Sequence, residues 1–288
     1  MKWLRLRSSE WLLIGFFAYI ALLIPFFPDR PSLKFQPVLI LCAVFALCCT
    51  LSGAHTRQVS GAIQFLRDWL PIGILFGAFR EMELFLPRRF DHSYETIWLR
   101  WDHVLLFNWY WRQRIESLGR IIPLYLELCY LLVYGLAAYC VAVLYFHRRA
   151  AIDRFYLIYL TGTLAAYALF PYFPSQPPRF VAPSLDMPTV TSWVRTLNLF
   201  LLKKATIHVG VFPSAHVSSA FSSAWAMFTI LPGRKRFGWG LLIYAVSVSV
   251  ATIYGRYHYA ADVVAGFALS LLAGLLAVVL SRRPHSSV

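Results

Sequence analysis

The chain has 288 residues, 59% of them hydrophobic and only 14% charged, and its mean hydropathy is +0.60. So few charges cannot coat a soluble globule of this size, and the composition points to an integral membrane protein. The formal net charge of +14 raises nucleic acid as a partner. The basic residues, however, sit in short clusters between apolar runs and not on one tail or face, which argues against that role and for loops beside anionic headgroups.

In chain order, the first apolar run is Trp11–Phe27. Its basic start, MKWLRLR, resembles a signal peptide, but no small-residue cleavage site follows, so the run reads as a retained helix. Seven more runs lie near the ~20 residues that cross a bilayer. They are Pro37–Leu51, Trp69–Leu86, Ile121–Phe146, Phe155–Phe173, Phe212–Leu231, Phe237–Tyr254 and Tyr259–Leu280. The third is interrupted by Arg80, Glu81 and Glu83. If it crosses, the clusters Lys2/Arg5/Arg7, Arg57/Arg67, Arg148/Arg149/Arg154, Arg234/Lys235/Arg236 and Arg282/Arg283 all fall on one face. If it is re-entrant, Arg148/Arg149 and Arg234–Arg236 part company. The positive-inside bias therefore favours about eight crossings with both termini cytoplasmic.

The expectation is an all-α, single polytopic domain over residues 1–288, with an N-terminal helix pair at 1–53 and a core at 69–280. The five cysteines, Cys42, Cys48, Cys49, Cys129 and Cys140, fall inside apolar runs without metal-type spacing and read as small hydrophobes. Two long connections lie on the outer side. Within 88–120, IWLRWDHVLLFNWYWRQRI (97–115) reads as an amphipathic helix lying in the interface. Pro174–Val211 is entered through the rigid stretch FPSQPPRF (173–180) and contains no long apolar run.

Three outer segments carry reactive side chains. In FPSAHVSSAF (212–221), Pro213 and Ser214 are helix-starting residues that place His216 in the first turn of a span. Free amides and the positive dipole end there favour an anion such as phosphate. Ser218, Ser219, Ser222 and Ser223 suit close helix packing better than catalysis. In IYGRYHYAADVVAG (253–266), His258 and Asp262 are four apart and meet on one helix face. A carboxylate on one imidazole nitrogen fixes the tautomer and frees the other nitrogen to attack. Arg179 and Arg256 would add positive charge. Two imidazoles, a carboxylate and two guanidiniums form a set for phosphoryl transfer without a metal or other cofactor.

At these residues the sequence resembles the type 2 phosphatidic acid phosphatase superfamily of membrane lipid phosphatases and phosphotransferases. "PSAH" (213–216) matches its second motif, with Ala215 where glycine is commoner, and "HYAADVVAG" (258–266) matches its third. The resemblance, which covers roughly 121–280, implies a six-helix core preceded here by two helices. It makes His258 the nucleophile that becomes phosphohistidine, Asp262 its orienter and His216 the acid for the leaving group. Ser214 contacts the phosphate, and a lipid phosphate or phospholipid is the substrate, with the site on the extracytoplasmic side. Thr252 stands where the third motif has arginine, a place Arg256 would fill, and only "PPR" ending at Arg179 represents the first motif. These departures resemble the subgroup containing inositol phosphorylceramide synthase, which moves a headgroup phosphate to a lipid alcohol.

Two other readings compete. One is a metal site built from His208, His216, His258 and Asp262, although no two of these histidines form a tight ligand pair. The other is a non-catalytic carrier of phosphate headgroups, against which stands the absence of an internal repeat. Glu127, Glu81 and Glu83 at membrane depth are functional candidates by default, with pairing to Arg80 or a neighbouring helix as the plainer account, and Asp102/His103 are expected near the headgroup layer and not in the reaction.

Overall fold

The structure is a computed structural model that describes residues 6–27, 35–55, 61–85, 87, 90–205, 207 and 210–282. Lys2, Arg5, Arg57, His208 and Arg283 lie outside the described residues. The described chain is all-α. Its helices are α1 (Ser8–Leu23), α2 (Gln36–His55), α3 (Gly61–Glu81), α4 (Ser93–His103), α5 (Trp111–Ser117), α6 (Ile121–Leu132) and α7 (Leu136–His147). They continue as α8 (Ile152–Leu169), α9 (Pro178–Val181), α10 (Trp193–Ala205), α11 (Ala215–Ile230), α12 (Arg236–Tyr254) and α13 (Ala260–Arg282).

Among the described residues, 6 helices are long and apolar enough to cross a membrane: Ser8–Phe26, Gln36–Gly53, Gly61–Phe85, Ile121–His147, Arg236–Tyr254 and Ala260–Arg282. The fourth joins α6 and α7 through a tight turn at Val133–Gly135. The other two runs expected to cross form α8 and α11. The first opens with Asp153 and Arg154, and the second has only 16 residues.

The third span begins at Gly61, well before Trp69, because its charges are paired inside the protein. Arg67 Nη2 meets Glu10 Oε2 at 2.7 Å, while Asp68 takes Arg7 at 2.9 Å and Arg149 at 2.8 Å. Neutralised in this way, Arg67 and Asp68 continue a helix that a lone charge would end. Arg67 is thus a buried helical residue and not a loop cation. At the other end Arg80 pairs with Glu83 at 2.9 Å, and Gln36 Nε2 donates to Glu81 at 3.1 Å.

Helix α11 is the axis of the bundle, packed against α8, α12 and α13. Lipid tails are as apolar as leucine, so small residues that let backbones approach matter more here than apolar burial. Ser218, Ser222, Ser223, Ala220 and Ala224 are fully buried, and Ser218 Oγ donates to Gly162 O at 2.8 Å. Ser218, Ser222 and Ser223 therefore have the packing role their spacing implies, whereas Ser219 lines a cavity. Cys48, Cys129 and Cys140 are buried, but Cys42 is exposed.

Basic residues gather at the C-terminal end of α11. Arg148 Nη1 donates to Ile230 O at 2.7 Å, and Arg234 reaches the His147 ring at 2.8 Å. The opposite end, where α11 begins, is covered by the two long connections. The first is not one continuous helix: α4 runs into a wide turn at Val104–Asn108, and Tyr110 at φ 60 breaks the path before α5. In the second, Ser192 Oγ accepts from Arg195 N at 3.2 Å and starts α10, a helix the sequence reading did not anticipate.

One contact sets where α13 meets α11. A Cβ built on Gly266 runs into the Ser214 carbonyl oxygen, whereas one on Gly274 meets only the Trp225 side chain, at 3.4 Å. Gly266→Ala should therefore destabilise the protein by about 1–3 kcal/mol through overpacking against backbone. Gly274→Ala should be tolerated. Thermal unfolding of both variants in detergent checks the pair; equal midpoints would contradict this packing.

Candidate active site

Ser214 is the N-cap of α11: its Oγ accepts from Val217 N at 3.3 Å, and its own N–H donates to the Asp262 carbonyl at 2.9 Å. Asp262 lies in the first turn of α13, so this bond joins the two helix starts. Between α12 and α13 the chain turns sharply. The amides of Tyr257 and His258 both donate to Thr252 O, at 2.9 and 3.1 Å, and Arg256 sits at φ 61.

That turn brings His258 opposite His216. The ring centroids are 5.5 Å apart and the planes nearly perpendicular, at 85°. His258 Nδ1 lies 2.9 Å from Val211 O and 3.1 Å from Asp262 Oδ2. A carbonyl can only accept, so Nδ1 carries the proton and the Nε2 lone pair is free. Asp262 is fully buried, and its Oδ2 also accepts from Tyr259 N at 2.9 Å. Tyr130 and Tyr134 stand edge-on to His216 at 5.4 and 5.3 Å.

His216, His258 and Arg179 all line one cavity of about 660 Å³. Arg179 enters from α9, its guanidinium 5.8 Å from the centre of the Tyr257 ring. Away from these groups the walls are mainly apolar and aromatic, with Ile72, Phe76 and Phe79 from α3 and Tyr159 and Tyr167 from α8. Ser214 and Arg256 are not among the lining residues. Ser214 is turned into its capping role. Arg256 is fully buried and donates from Nη1 to Asp102 Oδ2 at 2.6 Å.

Asp102 is fully buried against Arg256, and burial raises its carboxyl above the ordinary range against the lowering effect of the Arg256 charge. His103, in contrast, is partly exposed and pairs with Asp186 at 2.9 Å.

Sequence reasoning also missed the group behind Tyr257. Glu127 Oε1 accepts from Arg195 Nη1 at 2.7 Å, and its Oε2 accepts from Asn198 Nδ2 at 2.8 Å and Tyr257 Oη at 2.6 Å. Tyr257 stacks on Tyr130 with ring centres 3.8 Å apart. A lone glutamate in an apolar span signals that partners exist; the start of α10 at Ser192 was the clue to where they are. His208 lies outside the described residues, and among the described ones no group of three His, Cys, Asp or Glu side chains could hold a metal ion.

Burial pushes His258 down to about 3 from an ordinary value of 6.5, with Arg179 adding to the effect and the Val211 carbonyl opposing it. The ring is therefore neutral in the folded protein above that value, with the Nε2 lone pair unprotonated. Between about 3 and 6.5 the unfolded chain binds the extra proton, so this residue makes stability fall as pH falls through that window. Unfolding midpoints measured across it should decline less steeply in His258→Gln than in the wild type; parallel slopes would contradict a buried neutral ring.

Comparison with known proteins gives the following. The family model of the PAP2 superfamily matches residues 97–276, well over half of the chain. A PA-phosphatase related-family protein of Dictyostelium discoideum is 34% identical over 62 residues, 22% of this chain and 11% of that protein, so the chain spans only about a tenth of that relative's length. No solved structure matches.

Proposed function

The chain belongs to the PAP2 superfamily, and on that premise we propose that it moves phosphoryl groups of membrane lipids through a phosphohistidine intermediate. The observation that carries the reading is the 5.5 Å apposition of His216 and His258 on one cavity wall. His258 Nε2 attacks phosphorus, the bond from phosphorus to the leaving oxygen breaks, and His216 supplies the proton that oxygen needs. The hydroxyl oxygen of a second acceptor then attacks phosphorus, the phosphorus–nitrogen bond to His258 breaks, and the acceptor's proton passes to His216. Asp262 and Val211 O hold the attacking ring in one tautomer. Arg179 and the first-turn amides of α11 face the charge that develops on the equatorial oxygens.

Arg256 supports the turn in this reading and does not bind phosphate. Ser214 acts through its cap, which aims the first turn of α11 at the cavity. The apolar walls suit acyl chains, and the floor suits one phosphate. We read α8 and α11 as crossings too, giving eight in all within one domain. The basic clusters at the far end of α11 then face the cytoplasm, and the site opens on the other side. Within the family, the FPSQPPR stretch and the N-terminal helix pair favour transfer to a lipid alcohol, as in the inositol phosphorylceramide synthase subgroup. A headgroup carrier with the same cavity would bind lipid phosphate without releasing product.

Protein purified in detergent should release phosphate or headgroup from phosphatidate or a glycerophospholipid, or pass it to an added lipid alcohol. Product identification decides between these outcomes. His258→Ala and His216→Ala should each lower turnover by at least about a hundredfold, vanadate should inhibit, and EDTA should not. A folded His258→Ala protein with full turnover would overturn the mechanism.

A further inference from the structure

Helix α4 holds all three segments of the site through one face. Glu95, Trp98 and Asp102 fall at i, i+3 and i+7 and are all buried. Glu95 Oε1 accepts from Gln176 N at 3.1 Å, three residues before Arg179. Trp98 stacks on Phe212, just before the α11 cap, with ring centres 4.9 Å apart, and lies 5.4 Å from Tyr259. Asp102 takes Arg256 Nη1 on Oδ2 at 2.6 Å and the Ala260 amide on Oδ1 at 2.9 Å. Those two partners sit two residues before and two residues after His258.

Granted the catalytic reading above, we infer that Asp102 is a positioning residue for the reaction, fixing the backbone on both sides of the attacking imidazole from a different helix. Two observations single it out among the α4 contacts. Arg256 is held at φ 61, a left-handed conformation that a side chain other than glycine keeps only when its surroundings impose it. In addition, Arg256 Nε and Nη2 have no hydrogen-bond partner among the described residues, although the side chain is fully buried. Asp102 is thus the carboxylate that meets this guanidinium, and the pair ties the turn to α4 at one point. The outer face of the same helix leaves Tyr94, Ile97 and Trp101 exposed, the pattern of a helix that lies in an interface.

The test titrates orthovanadate, which adopts the geometry of the transferring phosphoryl group, into detergent-purified wild type, Asp102→Asn, Asp102→Asn/Arg256→Gln and His258→Ala. Thermal midpoints are recorded alongside. Asp102→Asn leaves a buried guanidinium without its counter-charge and should lower both midpoint and vanadate affinity. The double variant should regain most of the midpoint yet bind vanadate at least about tenfold more weakly than wild type, because the turn is no longer pinned. Recovery of affinity together with midpoint, or unchanged affinity in Asp102→Asn, would show a merely structural role and overturn the inference. Wild type that fails to bind vanadate would instead reject the catalytic reading and this inference with it, and His258→Ala that binds like wild type would place the anion elsewhere.

Discussion

The backbone bond from Ser214 N–H to the Asp262 carbonyl, at 2.9 Å, joins the first turns of α11 and α13, and the site depends on that junction. It works because Gly266 lets the α13 backbone come against the Ser214 carbonyl. With the two helix starts in contact, a residue two places past Ser214 and another four places before Asp262 must face each other. The confrontation of His216 and His258 is therefore a consequence of helix packing. The Asp262 carbonyl serves the junction while its carboxylate holds His258, so one residue fixes both the scaffold and the ring.

Around the junction, several buried charged groups are held in ion pairs. Arg67 with Glu10, Asp68 with two arginines, Glu127 with Arg195, and Asp102 with Arg256 are all internal pairs. An unpaired charge at such depth would cost far more than the helix contacts return. Each pair ties together elements distant in sequence, so the same bonds that neutralise charge also define the fold. The Glu127 and Asp102 pairs both end at the turn that carries His258. That turn is braced from α6 and α10 on one side and from α4 on the other.

Much of this was legible in the sequence, and the part that was not has a common cause. Apolar runs marked where the helices would form, and the local spacings of Ser214 to His216 and His258 to Asp262 placed two of the three site segments. These signals lie within one or two helical turns. The pairing of Arg256 with Asp102 spans 154 positions and that of Arg195 with Glu127 spans 68, and nothing local announces either. The same blindness hid the true start of α3, because Arg67 and Asp68 look like loop residues until α1 and the α7–α8 turn supply their partners. The break at Tyr110 in the outer connection likewise follows from how α4 and α5 dock, and not from the periodicity of 97–115.

The central claim is that His258 Nε2 forms a bond to phosphorus. The direct measurement is to quench the purified protein during incubation with a labelled lipid phosphate under alkaline conditions, which preserve phosphoramidates, and to map the modified peptide by mass spectrometry. The account predicts phosphate on His258 and none on His216 or Ser214. Turnover with no phosphorylated histidine, or with the label on Ser214, would contradict it.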